Sequence, residues 1–99
     1  VDWAKVPLLP GVVELAEQGN VTGASGRNWA AYGAEVQLAP GLHATTQNLV
    51  SDPQTSGGLL VSCAPESVND VLAIFAREGF GSAAVIGHVE AGHSGLRVE

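Results

Sequence analysis

The sequence predicts an α+β domain in which a mixed sheet has helices packed on one side. Hydrophobic residues make up 45% of the 99 residues and charged residues 14%, a balance typical of a chain that folds. Apolar residues recur at helical spacing over 68–75, and continuous apolar runs at 59–63 and 83–86 lie before and after that stretch. A strand, a helix and a second strand in this order predict a crossover unit, with the helix packed against one sheet face.

The first segment of the chain predicts a short strand followed by a short helix. Apolar residues alternate over 1–6, which is the period expected of a strand. Pro10 and Gly19 flank an apolar stretch at 12–16, and these residue types commonly mark the first turn of a helix and the position after its last turn. We therefore expect a helix between them.

The segment 20–40 predicts an ordered loop, because glycines and small polar residues interrupt every regular pattern. Trp29 and Tyr32 are its large side chains and are expected to anchor it. Two interpretations of the neighbouring polar residues stay open. Arg27 and Asn28 either line a pocket or belong to a structural anchor in which Asn28 bonds its own backbone.

The second half of the chain is more regular. The run 59–63 predicts a buried strand, and a helix is expected to follow it, with Pro65 in its first turn and Gly79 as its stop. The apolar positions of that helix are Val68, Val71, Leu72 and Phe75. The segment 83–89 predicts the next strand, and 96–98 predicts a last short strand that pairs with it as a hairpin.

The polar loop at 52–58 is the most informative motif, because it places hydroxyls, an amide and two glycines directly before an apolar run. Its candidate ligand-binding residues are Asp52, Gln54, Thr55, Ser56, Gly57 and Gly58. Backbone N–H groups and hydroxyls in such a loop can hold an anion such as phosphate, since glycine lets the backbone approach closely. The alternative is a structural turn in which Asp52 caps its own backbone and Pro53 fixes the bend.

The charge balance argues against some partners. Four Lys and Arg stand against ten Asp and Glu, a formal net charge of -6, and the cations are scattered. We therefore expect neither nucleic acid nor an anionic membrane surface as a partner. The sequence shows no membrane-spanning run, no signal peptide and a single Cys, so a cytoplasmic setting is expected. The chain has no Met and starts at Val1, so we expect it to be part of a longer translation product.

Histidines and a cysteine raise the question of a metal site or a nucleophile. His43, His88 and His93 lack carboxylates or a second Cys at ligand spacing, so we expect no metal site among them. Cys63 ends an apolar run and is expected to be a small core residue rather than a nucleophile. No complete catalytic set is found, so we expect no catalytic residue in this chain.

The motifs in their order along the chain resemble the family of selenophosphate synthetase, also called selenide, water dikinase. The most specific of them is the run DPQTSGGLL at 52–60. The matching segments are 8–12, 27–33, 51–61, 64–66, 79–80 and 84–87. The resemblance implies membership of the aminoimidazole ribonucleotide synthetase superfamily, whose members have an N-terminal lobe that binds ATP with metal ions and a C-terminal α+β lobe.

The resemblance implies that residues 1–99 are a partial C-terminal domain of a two-lobe, ATP-dependent synthetase, incomplete at its N-terminal end. The family makes selenophosphate, AMP and phosphate from ATP, selenide and water, with Mg²⁺ as cofactor. Its catalytic Cys or selenocysteine, a neighbouring Lys and its metal-binding aspartates lie in segments that this sequence lacks. The fragment alone is therefore expected to be inactive and to bind no cofactor, and the parent enzyme is expected to be a homodimer.

What carries over from the family is the loop at 52–58 together with Arg27 and Asn28, whose polar groups are expected to face the cleft between the lobes. Two alternatives stay open. One is the corresponding lobe of another ATP-dependent enzyme of the superfamily, and the other is a ligand-binding or interaction module without chemistry of its own. The loop motif argues against the first, and the incomplete catalytic set argues against the second.

Overall fold

The computed structural model of the chain describes residues 1–92 and 94–99 and shows an α+β arrangement, which confirms the predicted class. Helices form most of the regular structure, and two short strands form a sheet. The helices are α1 (Val12–Glu17), α2 (Gly23–Tyr32), α3 (Thr46–Val50) and α4 (Val68–Arg77), and the strands are β1 (Val36–Leu38) and β2 (Leu96–Val98). Short 3-10 turns cover Trp3–Lys5, Gly33–Glu35 and Pro65–Ser67.

The two strands pair in parallel, with Val36 opposite Leu96. The connection between them runs over 39–95 and contains α3 and α4, which gives a parallel pair the long crossover that it needs. The predicted hairpin of β2 with 83–89 is therefore wrong. Val98 is 1% exposed, so the end of β2 is packed in the interior rather than at a hairpin edge.

Neither of the strands predicted at 59–63 and 83–89 forms in the described part of the chain. Leu59 and Leu60 are 80% and 81% exposed, so the first of these segments is not buried either. The physical reason is that an apolar segment becomes a strand only beside a partner that takes up its backbone hydrogen bonds. The crossover unit predicted around α4 is wrong for the same reason, and α4 lies instead in the connection between β1 and β2.

The segment predicted as a loop contains the ten-residue helix α2. Thr22 caps its N-terminus, because the Thr22 Oγ1 accepts a hydrogen bond from Ser25 N at 3.2 Å. At the other end Gly33 donates its N–H to the carbonyl of Trp29. A Cβ built at Gly33 would lie 2.7 Å from Cε2 of the Trp29 indole. Glycine at this position thus permits a close approach of the helix end to the aromatic ring, rather than marking a loop.

The strand predicted at 1–6 is also wrong, because Trp3–Lys5 forms a 3-10 turn. Asp2 caps this turn: its Oδ1 accepts a hydrogen bond from Ala4 N at 3.2 Å, and its Oδ2 lies 2.9 Å from Lys5 Nζ. The bond to Lys5 lowers the pKa of Asp2, and the same bond raises the pKa of Lys5. Both side chains are exposed, so solvent screens the pair and its contribution to stability is small.

The two helices predicted from apolar periodicity and glycine stops are confirmed as α1 and α4. Gly19 and Gly79 follow them with φ values of 86° and 91°, the left-handed conformation that ends many helices. After α4 the chain folds back, and Phe80 packs edge to face on Phe75 with ring centroids 6.4 Å apart. The apolar positions of α4 are half-buried.

The described part of the chain has a small core, in which the buried hydrophobic residues are Ala16 and Val98. The accessible surface is 7559 Å², whereas a compact protein of this mass exposes about 5,300 Å². The radius of gyration is 14.6 Å, against about 13 Å for a compact chain of this length. Much apolar surface therefore stays uncovered. Within residues 1–92 and 94–99, no helix is long and apolar enough to cross a membrane.

Candidate functional site

A groove of about 330 Å³ lies between α2, the end of α3 and the two strands. Its wall residues are Asn28, Trp29, Tyr32, Gly33, Val36, Val50, Ser51, Asp52 and Leu96. The aromatic rings of α2 and the aliphatic strand residues make most of the lining apolar, and Asn28, Ser51 and Asp52 make one end polar. The groove is open to solvent, and its walls are mostly apolar.

Three polar residues at the start of α2 hold the polar end of the groove. Thr22, Ser25 and Asn28 follow one another at a spacing of three, which places them on one side of the helix. The Ser25 hydroxyl donates to Asp52 Oδ1 at 3.2 Å, and the Thr22 hydroxyl donates to the same oxygen at 3.4 Å. One turn further along, Asn28 Nδ2 donates to the Ser51 carbonyl at 2.9 Å. One side of α2 thus holds Ser51 and Asp52, two successive residues that are distant from α2 in the sequence.

The charge of Asp52 is well placed for this contact. α2 has no acidic residue in its own first turn, although the N-terminus of a helix attracts negative charge. Asp52 supplies that charge from outside the helix, and the interaction of a carboxylate with a helix N-terminus is typically worth about 0.3–1 kcal/mol. Ser25 is 1% exposed, so its hydroxyl needs a partner inside the protein and finds one in Asp52.

The structure corrects the interpretations in which Asp52 and Asn28 bond their own backbone. The side-chain hydrogen bonds of Asp52 within the described residues go to Thr22 and Ser25, and that of Asn28 goes to Ser51. Both residues line the groove. Sequence reasoning proposed them as parts of two separate motifs, and the structure brings them together.

Arg27 does not join this group. It is exposed and is not among the residues that line the groove. A Cβ built at Gly23 would lie 3.7 Å from Arg27 Nη1, so the guanidinium lies over the first turn of α2 instead. Within the described residues, Asn28 lines the groove and Arg27 does not.

The rest of the loop lies outside the groove and faces solvent. Gln54, Thr55, Ser56, Gly57 and Gly58 are all exposed. Within the described part of the chain, no backbone hydrogen bond outside the helices and strands involves 53–63. The backbone N–H groups and hydroxyls of the loop are thus accessible, which is the condition that an anion site requires.

Of the three histidines, His43 and His88 contact different carboxylates. His43 Nε2 lies 3.6 Å from Glu17 Oε1, and His88 Nε2 lies 2.9 Å from Glu90 Oε1, while His93 is outside the described residues. The hydrogen bond from His88 lowers the pKa of Glu90. In residues 1–92 and 94–99, no three side chains of His, Cys, Asp or Glu are grouped closely enough to hold a metal ion.

Cys63 is exposed, so its assignment to the core is wrong. The cause is the same as for the whole run 59–63, which has no partner strand in the described part of the chain.

Thr22 and Ser25 are the residues that sequence reasoning missed. Their signal is the N-cap pattern, in which a Thr stands three residues before a second hydroxyl residue at the beginning of a helix. The neighbouring glycines obscured this N-cap pattern, because glycines favour a loop.

Together, these features define an α+β domain with an open groove and an exposed polar loop anchored on a helix. A comparison with known protein families matches residues 11–99 to "AIR synthase related protein, C-terminal domain". The match covers most of the chain, and the chain belongs to this family.

Three relatives of the chain have the same name. The chain is 61% identical over 92 residues to "Selenide, water dikinase" of Pseudomonas straminea. It is 56% identical over 98 residues to the protein of that name in Paraburkholderia xenovorans, and 46% identical over 93 residues to that of Rhizobium meliloti. These matches cover 93%, 99% and 94% of the chain. The chain spans 26%, 28% and 27% of the length of these relatives. The resemblance found in the sequence is confirmed.

Proposed function

We propose that this chain is a part of the C-terminal domain of a selenide, water dikinase, which makes selenophosphate, AMP and phosphate from ATP, selenide and water. The observation that carries the proposal is the identity of 46% to 61% with proteins of that name over at least nine-tenths of the chain. The finer fold is proposed with it: a mixed sheet, with helices on one side, of which β1 and β2 are one part. A cytoplasmic location is proposed as well.

The uncovered apolar surface supports the proposal that residues 1–99 are one part of a larger two-lobe protein. The chain exposes 7559 Å², about 2,000 Å² more than a compact protein of its mass. That excess is comparable to the area buried in stable protein interfaces. Leu59, Leu60 and Val89 are each at least 80% exposed, and residues of this type are expected to be covered in the complete protein.

The loop at 52–58 is proposed to face the cleft toward the ATP-binding lobe and to contact phosphate oxygens. Three observations support this: the hydroxyls of Thr55 and Ser56 are exposed, Gly57 and Gly58 allow close approach, and the backbone of the loop is unpaired within the described residues. Its neutral donors suit an anion in a chain of formal net charge -6, because they attract phosphate without requiring a Lys or Arg.

Mg²⁺, the cofactor that the family implies, finds no fitting ligand set among the described residues. No three potential metal-binding side chains are grouped within residues 1–92 and 94–99, and Asp52 Oδ1 is already occupied by two hydroxyls. We therefore propose that the metal is held by other parts of the full-length enzyme. ATP and selenide are proposed as substrates, and a homodimer is proposed as its assembly.

The test uses the full-length protein that contains this chain. Incubation with ATP, selenide and Mg²⁺ is expected to form AMP and selenophosphate, detected by chromatography and by phosphorus NMR. The 99-residue chain alone is expected to turn over no ATP. ATP hydrolysis that does not depend on selenide, or no ATP turnover by the full-length protein, would refute the proposed function. If the proposal is right, the gene upstream of Val1 encodes the family's segment with the catalytic Cys or selenocysteine and its neighbouring Lys, and a DVTGFG-type motif that supplies metal-binding aspartates in the family.

The loop has its own test. Replacing Thr55 and Ser56 together by Ala is expected to lower kcat/KM for ATP by about tenfold, because two donors to phosphate oxygens are lost. The melting temperature should change by no more than about 2 °C, because both side chains are exposed. Ser62→Ala, at an exposed position outside the loop, is the matched control and should retain full activity. Full activity of the double variant would show that the loop is only a structural turn.

A further inference from the structure

We infer that Ser25, assisted by Thr22, is a positioning residue that holds the base of the 53–58 loop by donating hydrogen bonds to Asp52. The inference rests on the proposed function, since it concerns how the loop is presented to its ligand. It gives Asp52 a different role from the one that the sequence predicted. Asp52 is an anchor for the loop, and the ligand-binding groups are those that follow it.

The contacts of Ser25 are the first support. Its side chain is 1% exposed, and its hydroxyl lies 3.2 Å from Asp52 Oδ1 and 3.1 Å from Thr22 Oγ1. Thr22 Oγ1 lies 3.4 Å from the same Asp52 oxygen. Each hydroxyl has one proton to donate, so when both donate to Asp52 the contact between the two hydroxyls is not a hydrogen bond. A buried hydroxyl paired with a carboxylate makes a stronger bond than a neutral pair, and removing it leaves the carboxylate poorly satisfied.

The position of these contacts along the chain is the second support. Asp52 N is bonded to the Leu49 carbonyl, which makes Asp52 the last residue tied to the end of α3. From 53 to 63 the described chain makes no such backbone bond, and the pairing resumes only at Ala64. The side chain of Asp52 is therefore the last described side-chain anchor before the unpaired part of the loop, directly after Ser51, which Asn28 holds. Ser25 itself does not line the groove, so we expect a change at Ser25 to act on the loop through Asp52.

The anchor role can be separated from a direct role by the choice of substitution at Asp52. Asp52→Asn keeps an oxygen that accepts from the Ser25 hydroxyl but removes the charge, whereas Asp52→Ala removes the acceptor as well. If Asp52 acts as an anchor, Asn rescues most of the function. If Asp52 acts through its charge on a metal or a substrate, Asn and Ala are equally damaging.

The experiment measures kcat and KM for ATP in the full-length protein and compares wild type with Ser25→Ala, Asp52→Ala, Asp52→Asn and the Ser25→Ala/Asp52→Ala double variant. We expect Ser25→Ala and Asp52→Ala each to lower kcat/KM by about tenfold, mainly through a higher KM. Asp52→Asn should lower it by about threefold or less. The double variant should have a kcat/KM no lower than that of the single Ala variants, because each single Ala substitution already removes the contact between Ser25 and Asp52.

Hydrogen exchange of the peptide covering 53–63 supplies a readout that does not depend on activity. In Ser25→Ala, the exchange of this peptide in the first seconds is expected to change. Bound ATP is expected to protect the peptide less in this variant than in wild type. Ser67→Ala is the matched control, because Ser67 also stands at the start of a ten-residue helix but makes no side-chain cap bond. It should leave both the kinetics and the exchange of this peptide unchanged.

Three results would overturn the inference: equal losses for Asp52→Asn and Asp52→Ala, additive losses in the double variant, or wild-type kinetics for Ser25→Ala. A melting temperature lowered in Ser25→Ala with unchanged KM would also contradict it, since that pattern belongs to a purely structural contact. Failure of the proposed function is distinguished by the wild-type protein, which would then form no selenophosphate at all.

Discussion

Replacing Gly33 by Ala is expected to destabilise α2, although Ala is the better residue in most helices. The added Cβ would lie 2.7 Å from Trp29 Cε2 and 2.9 Å from two further ring atoms, where ordinary contacts begin at 3.4 Å. Overpacking of this kind costs about 1–3 kcal/mol, and Gly→Ala returns about 0.4–1 kcal/mol through the unfolded chain. The net loss is therefore expected to be about 0.5–2 kcal/mol.

Gly26→Ala provides the matched control, because Gly26 is exposed in the interior of the same helix and a Cβ there meets nothing within 4 Å. This variant is expected to stabilise α2 by about 0.5–1 kcal/mol. Native-state hydrogen exchange of α2 in the full-length protein measures both changes, since about 1.4 kcal/mol corresponds to a tenfold change in rate. Exchange should be about two- to thirtyfold faster in Gly33→Ala and about two- to fivefold slower in Gly26→Ala.

The fluorescence of Trp29, taken as the difference between otherwise identical proteins with and without Trp29→Phe, should shift in Gly33→Ala because the ring has to move. If Gly33→Ala slows the exchange of α2 as Gly26→Ala does, the close approach of the helix end to the indole plays no part in stability, and the argument fails.

Two further predictions concern local contacts. The carboxyl group of Asp2 should titrate in NMR below its ordinary value of 3.8, and Lys5→Ala should raise that midpoint. Because the folded pKa is the lower one, the small stabilisation from this pair is present above about pH 4 and is lost as pH falls through the folded pKa. Asn28→Ala should cost about 1 kcal/mol by leaving the Ser51 carbonyl without its donor, measured as faster exchange at Asp52 N–H. An unchanged midpoint in Lys5→Ala, or unchanged exchange in Asn28→Ala, would count against the respective contact.

Local sequence information was sufficient for α1 and α4. Both have apolar residues at helical spacing and a glycine directly after the last turn, and each of these signals acts within a few residues. α2 has neither signal. Its stability depends on the Thr22 cap and on contacts with Ser51 and Asp52, which are more than twenty residues away in the chain. Such contacts leave no local pattern, so the glycines of α2 predicted a loop.

The strands show the same division between local and distant information. β1 is three residues long and pairs with β2 at the far end of the chain, so neither its existence nor its parallel partner could be read locally. The runs 59–63 and 83–89 have strand composition, but composition does not supply a partner strand. Within the described residues, 83–89 makes one backbone hydrogen bond to a distant segment, from Asp2 N to the Ile86 carbonyl, and 59–63 makes none. In the candidate site, Asp52 and Asn28 could each be selected by residue type and turn chemistry. Their common location in one groove depends on tertiary contacts, which the local sequence does not show.

The unpaired segment 59–63 also bears on the behaviour of the chain during synthesis and purification. It contains three consecutive large aliphatic residues and no charge, and its backbone donors and acceptors are unpaired within the described residues. Such a segment is a template for cross-β association between molecules. Chains that are released before this segment is covered are therefore at risk of aggregation. Coexpression with the rest of the protein should keep the domain dispersed, whereas the isolated chain should precipitate as its concentration rises.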